Sequence, residues 1–138
     1  MYKELIISVV ILIGIFSLDY ITQKYTDEAV KEVTQEIGTL EEKIKKEEVD
    51  SEKVSQSINE IYNKWLKKHD TLAYFIEHDE LEKVETDFVA GKSYIESEQY
   101  YDALSELEKL MFVLEHINEK YSFNLENIFW VSINFLKK

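Results

Sequence analysis

An unbroken apolar run from Leu5 to Leu18 constrains this chain more than any other feature. Counted from Tyr2 to Ile21, the run approaches the roughly 20 residues that a helix needs to cross a bilayer. Tyr2 and Tyr20 lie at its ends, where aromatic rings favour the membrane interface. A helix that is apolar on every face needs a large protein around it to bury it, and this chain has only 138 residues. The run therefore predicts a transmembrane segment.

The end of the apolar run bears on whether this segment is retained. Residues 16–20 (FSLDY) lack the small-x-small pattern of a cleavage site, so the sequence favours an uncleaved signal anchor over residues 1–24. A cleaved signal peptide is the alternative. Basic residues give little orientation bias, because Lys3 precedes the run and Lys24 and Lys31 follow it. Since the amino-terminal tail is very short, we expect it in the cytoplasm. The prediction is a single-pass cell-membrane protein with the bulk of its chain extracytoplasmic.

The composition excludes several classes of function. A formal net charge of −12 would repel nucleic-acid phosphates, so no nucleic-acid partner is expected. Because the chain has no cysteine, it has no disulfide, no thiolate metal site and no cysteine nucleophile. It also has no G-x-S-x-G motif and no glycine-rich phosphate loop. We therefore expect a protein that is not an enzyme and that carries no cofactor.

Helical periodicity organises the residues that follow the apolar run, in a chain with no proline and only 3 glycines. Residues 25–49 are predicted to form a helical stalk with five apolar residues at alternating spacings of three and four. That spacing is typical of a coiled-coil seam, although it covers only about two heptads. The stripe supports either a homodimer or packing against later helices of the same chain. Its members are Val30, Val33, Ile37, Leu40 and Ile44.

Residues 50–138 are predicted to form an antiparallel helical bundle. Asp50 or Ser51 can cap its first helix, whose apolar stripe begins at Val54 and continues as far as Ile76. The dipeptide His78-Asp79 marks the next boundary, with Asp79 as the helix cap. The whole fold is therefore all-α: an N-terminal transmembrane helix continues into a small antiparallel bundle.

A helical hairpin is predicted in the second half of this bundle. Residues 100–117 carry the most regular apolar stripe of the chain, and the turn before it, residues 96–99, is too short for anything but an antiparallel hairpin. Residues 94–107 (YIESEQYYDALSEL) resemble the turn of a tetratricopeptide repeat, with Glu98 in place of the usual glycine. Because a single copy cannot build a solenoid, the likeness predicts a TPR-like hairpin and no peptide-binding groove.

The last segment, residues 122–138, is unusually apolar but contains Asn127, Ser132 and Asn134, which argue against a second span. It could close the bundle, which we favour. Alternatively, it could lie in the membrane interface with Trp130 and the terminal lysines at headgroup level.

Four short motifs give the chain a family resemblance. They are WLKKHD at 65–70, FIEHDE at 75–80, LEHI at 114–117 and FNLENIF at 123–129. Together with the amino-terminal anchor, they resemble domain of unknown function 4363, an uncharacterised bacterial family, over nearly the whole chain. The resemblance implies a small membrane-anchored helical protein of spore-forming Gram-positive bacteria and supplies no catalytic residues. It also implies an association with YetF-like membrane proteins, and hence an accessory role.

The three histidines, His69, His78 and His116, are the candidate metal ligands. If three helices brought them together, imidazoles and neighbouring carboxylates could bind zinc or a metal pair. No HExxH or ExxH pair supports such a site. The alternative interpretation places the histidines at helix ends, with His78 near a helix C-terminus, where positive charge is favoured.

Large aromatic side chains are the candidate interaction residues. Tyr94, Tyr100, Trp65 and Trp130 could contact a partner, although such residues more often pack within a small bundle. The leading hypothesis is a membrane-anchored extracytoplasmic interaction module that serves as an accessory subunit of an integral membrane protein. The alternatives are an extracytoplasmic ligand-binding or sensor bundle, and a metal-dependent hydrolase that uses the three histidines.

Overall fold

The computed structural model describes residues 1–46 and 49–121, which form four α-helices and no strand. The helices are α1 (Tyr2–Ile44), α2 (Ser51–Leu72), α3 (His78–Glu96) and α4 (Tyr100–Tyr121). Each helix runs antiparallel to the next. α1 packs against α2 and α4, and α3 also packs against α2 and α4, so the four helices close a ring. The predicted all-α bundle with an apolar N-terminal helix is confirmed.

α1 joins the apolar segment to the bundle without a break. Its 43 residues correspond to a helix about 65 Å long at 1.5 Å per residue. Side chains of its first half are exposed, whereas its second half contributes Ala29, Val33 and Ile37 to the bundle core, each 0–1% exposed. The part of α1 predicted as a stalk over residues 25–49 therefore packs as one of the four bundle helices.

The apolar stripe of α1 is filled by the chain itself. Its five members are at most 4% exposed. The helices that cover this side of α1 are α2 and α4. The structure thus supports packing within the chain, and a homodimer through these residues would require the bundle to open. The five members are Val30, Val33, Ile37, Leu40 and Ile44.

Every helix contributes one buried stripe to the core. Trp65 and Phe88 are the largest fully buried side chains, and their rings stack with centroids 6.1 Å apart. Such burial is the main favourable contribution to folding, at about 25 cal/mol per Å² of apolar surface. Outside α1, the buried apolar residues are Val54, Ile58, Ile61, Trp65, Leu72, Ile76, Leu81, Val84, Phe88, Ile95, Ala103, Leu107, Leu110, Leu114 and Ile117.

The register between α1 and α2 is regular over the whole interface. In three pairs between α1 and α2, and in the ring contact of Tyr25 with Phe75 just after α2, the two residue numbers add up to 100, as expected for two straight antiparallel segments. Position 75 therefore lies level with position 25 of α1. The pairs are Lys43–Ser57 at 3.2 Å, Glu36–Lys64, Glu32–Lys68 at 2.6 Å, and the rings of Tyr25 and Phe75 at 6.4 Å.

The predicted start of α2 is confirmed, but its predicted end is not. The Asp50 carboxylate accepts a hydrogen bond from the Lys53 backbone N–H at 3.1 Å, which confirms the predicted N-cap. α2 ends at Leu72, however, and residues 73–77 form a turn. α3 begins at His78, one residue before the predicted cap.

The α3–α4 hairpin is confirmed, and its turn is a Schellman motif. The Gln99 N–H bonds to the Tyr94 carbonyl at 2.9 Å, and the Glu98 N–H bonds to the Ile95 carbonyl at 3.0 Å. Glu98 is left-handed with φ 57°, the conformation that glycine usually supplies. Gly91 of α3 faces Leu107 of α4. A Cβ at position 91 would come within 3.3 Å of Leu107, so glycine allows the two helices to approach closely.

Candidate functional site

The largest exposed apolar surface of the described residues is the first half of α1. Its large hydrophobic side chains between Leu5 and Ile21 are 46–66% exposed. An 18-residue window of this helix has a mean hydropathy of 2.3 and is not buried anywhere. Within residues 1–46 and 49–121, α1 is the one helix long and apolar enough to cross a membrane. Because the apolar half of α1 is not buried, α1 differs from the core helix of a soluble protein. A signal sequence would also give an exposed apolar helix near the N-terminus.

The bundle end nearest to this apolar surface is built from three chain segments. We call it the proximal end: residues 24–27 of α1, the turn at residues 73–77 and residues 118–121 of α4. Asn118 donates a hydrogen bond to Asp27 at 3.0 Å and ties α4 to α1. The pKa of Asp27 is lowered by its hydrogen bonds with Lys31 and with Asn118. The proximal end therefore begins within one or two helical turns of the apolar segment.

A second set of contacts fixes the turn at the proximal end. The Glu77 N–H donates to the Tyr121 hydroxyl at 3.0 Å, and Lys120 Nζ lies 2.9 Å from Glu77 and 3.2 Å from Glu80. Burial pushes the pKa of Glu80 upward, but the hydrogen bond from Lys120 and the nearby positive charges outweigh it and lower the pKa. The same two carboxylates raise the pKa of Lys120. These contacts tie the turn to the end of α4.

The three histidines all lie towards the proximal end, on three different helices. His69 is in the last turn of α2, His78 is the first residue of α3, and His116 lies near the end of α4. No group of three or more potential ligands, histidines or carboxylates, gathers among the described residues. His78 sits at a helix N-terminus, so its predicted position near a C-terminus is wrong.

The predicted aromatic contact residues fall into three different environments. Trp65 is 1% exposed, and its indole N–H has no hydrogen-bond partner, so the structure places this residue in the core and not on the surface. Tyr94 and Tyr100 are half-buried against the core at the end of the bundle opposite the proximal end, which we call the distal end. Trp130 lies outside the described residues, as does the predicted closing segment 122–138.

The structure exposes other aromatic side chains that the sequence analysis did not single out. Tyr101 is 92% exposed and Phe112 is 70% exposed. They are 11 residues apart, which places them on the same side of α4. Tyr74 in the proximal turn is 89% exposed. Tyr101 comes directly after the half-buried Tyr100 in the sequence. The register of α4 in the bundle alone determines which of the two tyrosines faces outward.

The grooves between the helices are lined mostly by charged and polar side chains. One lies between α1 and α2, and another lies between α3 and α4 beside Asp87 and Lys109. Asp87 is 3% exposed and pairs with Lys109 at 2.8 Å. That hydrogen bond, together with a second one that Lys109 donates to Glu106, raises the pKa of Lys109. The pair joins α3 to α4 beside this groove.

Comparison with known proteins gives one match. Residues 20–128 match the model of a domain of unknown function, DUF4363. The matched region begins at the end of the apolar run and includes all the described bundle. No curated protein and no solved structure matches the chain. The match covers more than half of the chain, and the chain therefore belongs to the DUF4363 family.

Proposed function

We propose that this protein is a membrane-anchored interaction subunit that binds an integral membrane protein on the extracytoplasmic side. One observation carries the proposal: a single helix, α1, provides both the exposed apolar segment and one of the four helices that build the bundle core. A rigid connection of this kind keeps the bundle close to the bilayer. A partner embedded in the same membrane is then the nearest available target.

The outer face of α4 is the proposed contact surface. Tyr101 and Phe112 are exposed on one side of this helix, although burying either ring would remove apolar surface from water. Exposed aromatic residues are enriched among those that dominate binding energy in protein interfaces. The strong net negative charge of the chain favours a partner with basic extracytoplasmic loops. The family resemblance points to a YetF-like membrane protein of a spore-forming Gram-positive bacterium as the first candidate.

Site-specific photo-crosslinking in intact membranes tests this proposal. A photoreactive amino acid is placed at Tyr101 or Phe112, and the adducts are identified by mass spectrometry. The control position is Asn63, an exposed residue of α2, which lies diagonally across the bundle from α4. We expect one integral membrane protein to be captured from both α4 positions and not from position 63.

A second experiment uses the same surface. The double variant Tyr101→Ala/Phe112→Ala should lose the captured partner during purification in mild detergent, while its thermal unfolding stays unchanged. Asn63→Ala should retain the partner. Equal capture from all three positions, or full retention of the partner by the double variant, would refute a contact through α4.

A further inference from the structure

We propose that the turn between α2 and α3, residues 73–77, lies in the headgroup layer of the bilayer and makes a second membrane contact through Tyr74. This inference rests on the proposed membrane anchoring by α1. It adds a lipid-binding surface to the bundle itself, and the surface it contacts is the interface of a phospholipid bilayer.

The register of the bundle sets the height of this turn above the membrane. Phe75 lies level with Tyr25, whose ring it contacts edge to face. Tyr25 follows Ile21, the end of the Tyr2–Ile21 segment counted as the span, by four residues, or about 6 Å along the helix axis. The headgroup region on each side of a bilayer is roughly 5–8 Å thick. The turn therefore reaches the headgroup layer when α1 spans the hydrocarbon.

The height of the turn above the membrane is defined only if the apolar segment, the bundle and the turn keep fixed relative positions. α1 is continuous from Tyr2 to Ile44, so the apolar run and the bundle cannot reorient freely. The turn is held on one side by the contact of Phe75 with Tyr25 and on the other by the hydrogen bond between Glu77 and Tyr121. Tyr74 is consequently presented from a fixed position.

The side chains of the turn are suited to contact lipid through apolar and aromatic groups, without binding the lipid phosphates. Ala73 and Tyr74 are exposed, and Phe75 is half-buried. Tyrosine is enriched at membrane interfaces because its ring is apolar and its hydroxyl stays hydrated. Glu77 ends the turn, and no lysine lies within it. The contact thus depends on an aromatic ring in the interface rather than on cations that bind lipid phosphates, and a phosphatidylcholine bilayer is a sufficient target.

The distal end offers a matched control. Tyr101 is 92% exposed and Tyr74 is 89% exposed, so the two rings are equally accessible in the protein alone. They differ in their distance from the apolar run. The Asp27–Asn118 pair sets the antiparallel register of α4, which places Tyr101 level with Ile44, about 35 Å beyond Ile21.

The absence of cysteine allows a direct measurement of depth. Single variants Tyr74→Cys, Tyr101→Cys and Leu12→Cys of the full chain are reconstituted in phosphatidylcholine nanodiscs and labelled with a nitroxide. Collision rates with oxygen and with a water-soluble nickel complex then report the depth of each label. We expect position 12 in the hydrocarbon, position 74 at interfacial depth with reduced nickel access, and position 101 with free nickel access.

The three positions separate the possible failures. Equal nickel access at positions 74 and 101, with position 12 in the hydrocarbon, would overturn the headgroup contact and leave the anchor intact. Free nickel access at position 12 would overturn the anchor, and with it the contact that rests on it.

Discussion

The left-handed residue in the α3–α4 turn gives a prediction whose sign depends on the backbone. Glu98 has φ 57° and ends α3 in a Schellman motif. A left-handed conformation costs an L-residue about 1–2 kcal/mol and costs glycine almost nothing. Glycine loses about 0.4–1 kcal/mol more than other residues through its freedom in the unfolded chain. Glu98→Gly should therefore stabilise the bundle by about 0.5–1 kcal/mol.

The control is the same substitution two residues earlier. Glu96 is the last residue of α3, exposed and in a right-handed helix, so Glu96→Gly should destabilise by about 0.5–1 kcal/mol. For a bundle of this size, 1 kcal/mol shifts the Tm by about 4–8 °C. Thermal unfolding followed by circular dichroism should raise the Tm for one variant and lower it for the other. A lower Tm for both would refute the left-handed assignment of Glu98.

Three further predictions concern buried residues. Trp65→Ala should lower the free energy of unfolding by about 3–5 kcal/mol. Phe112→Ala, at an exposed site, should change it by less than about 0.5 kcal/mol. Similar effects of the two variants in denaturant titration would contradict the burial of Trp65. Lys109→Met should cost about 1–3 kcal/mol, because Asp87 loses its partner inside the bundle, and an unchanged unfolding midpoint would show that the pair does not matter. Since the folded-state pKa of Glu80 lies below its ordinary value of 4.5, its stabilising contribution is present above that value and lost as the pH falls through the folded pKa. Glu80→Gln should therefore flatten the loss of Tm between about pH 5 and pH 3, and an unaltered slope would refute this role.

Much of the fold could be predicted because its helices carry regular apolar stripes. The stripe of α4, the hairpin before it and the cap at Asp50 depend on neighbours within a few residues, and all three were predicted. The end of α2 was missed because Ile76 continues the apolar spacing beyond Leu72. Ile76 is 5% exposed and packs on the core from a turn, so burial preserved the pattern after the helix had ended.

Three features could not be read from local sequence. Trp65 follows Ile61 on the apolar stripe of α2, but its stacking partner Phe88 lies on a different helix, and no local spacing identifies that contact. The stripe of α1 is equally suited to a second copy of the chain and to its own helices, and only the closed ring of four helices decides between them. The distance of the proximal turn from the apolar segment could not be predicted from local sequence either, because it depends on the register between α1 and α2.

The central claim is that one rigid helix connects the bilayer to the bundle. Its most direct test is the distance between nitroxides at Leu12→Cys and Glu42→Cys of the full chain in nanodiscs, measured by double electron–electron resonance. Both positions are exposed and lie 30 residues apart in α1, which corresponds to about 45 Å in a continuous helix. We predict a narrow distribution centred near that distance. A broad distribution, or one centred well below it, would show a hinge between membrane and bundle and contradict the claim.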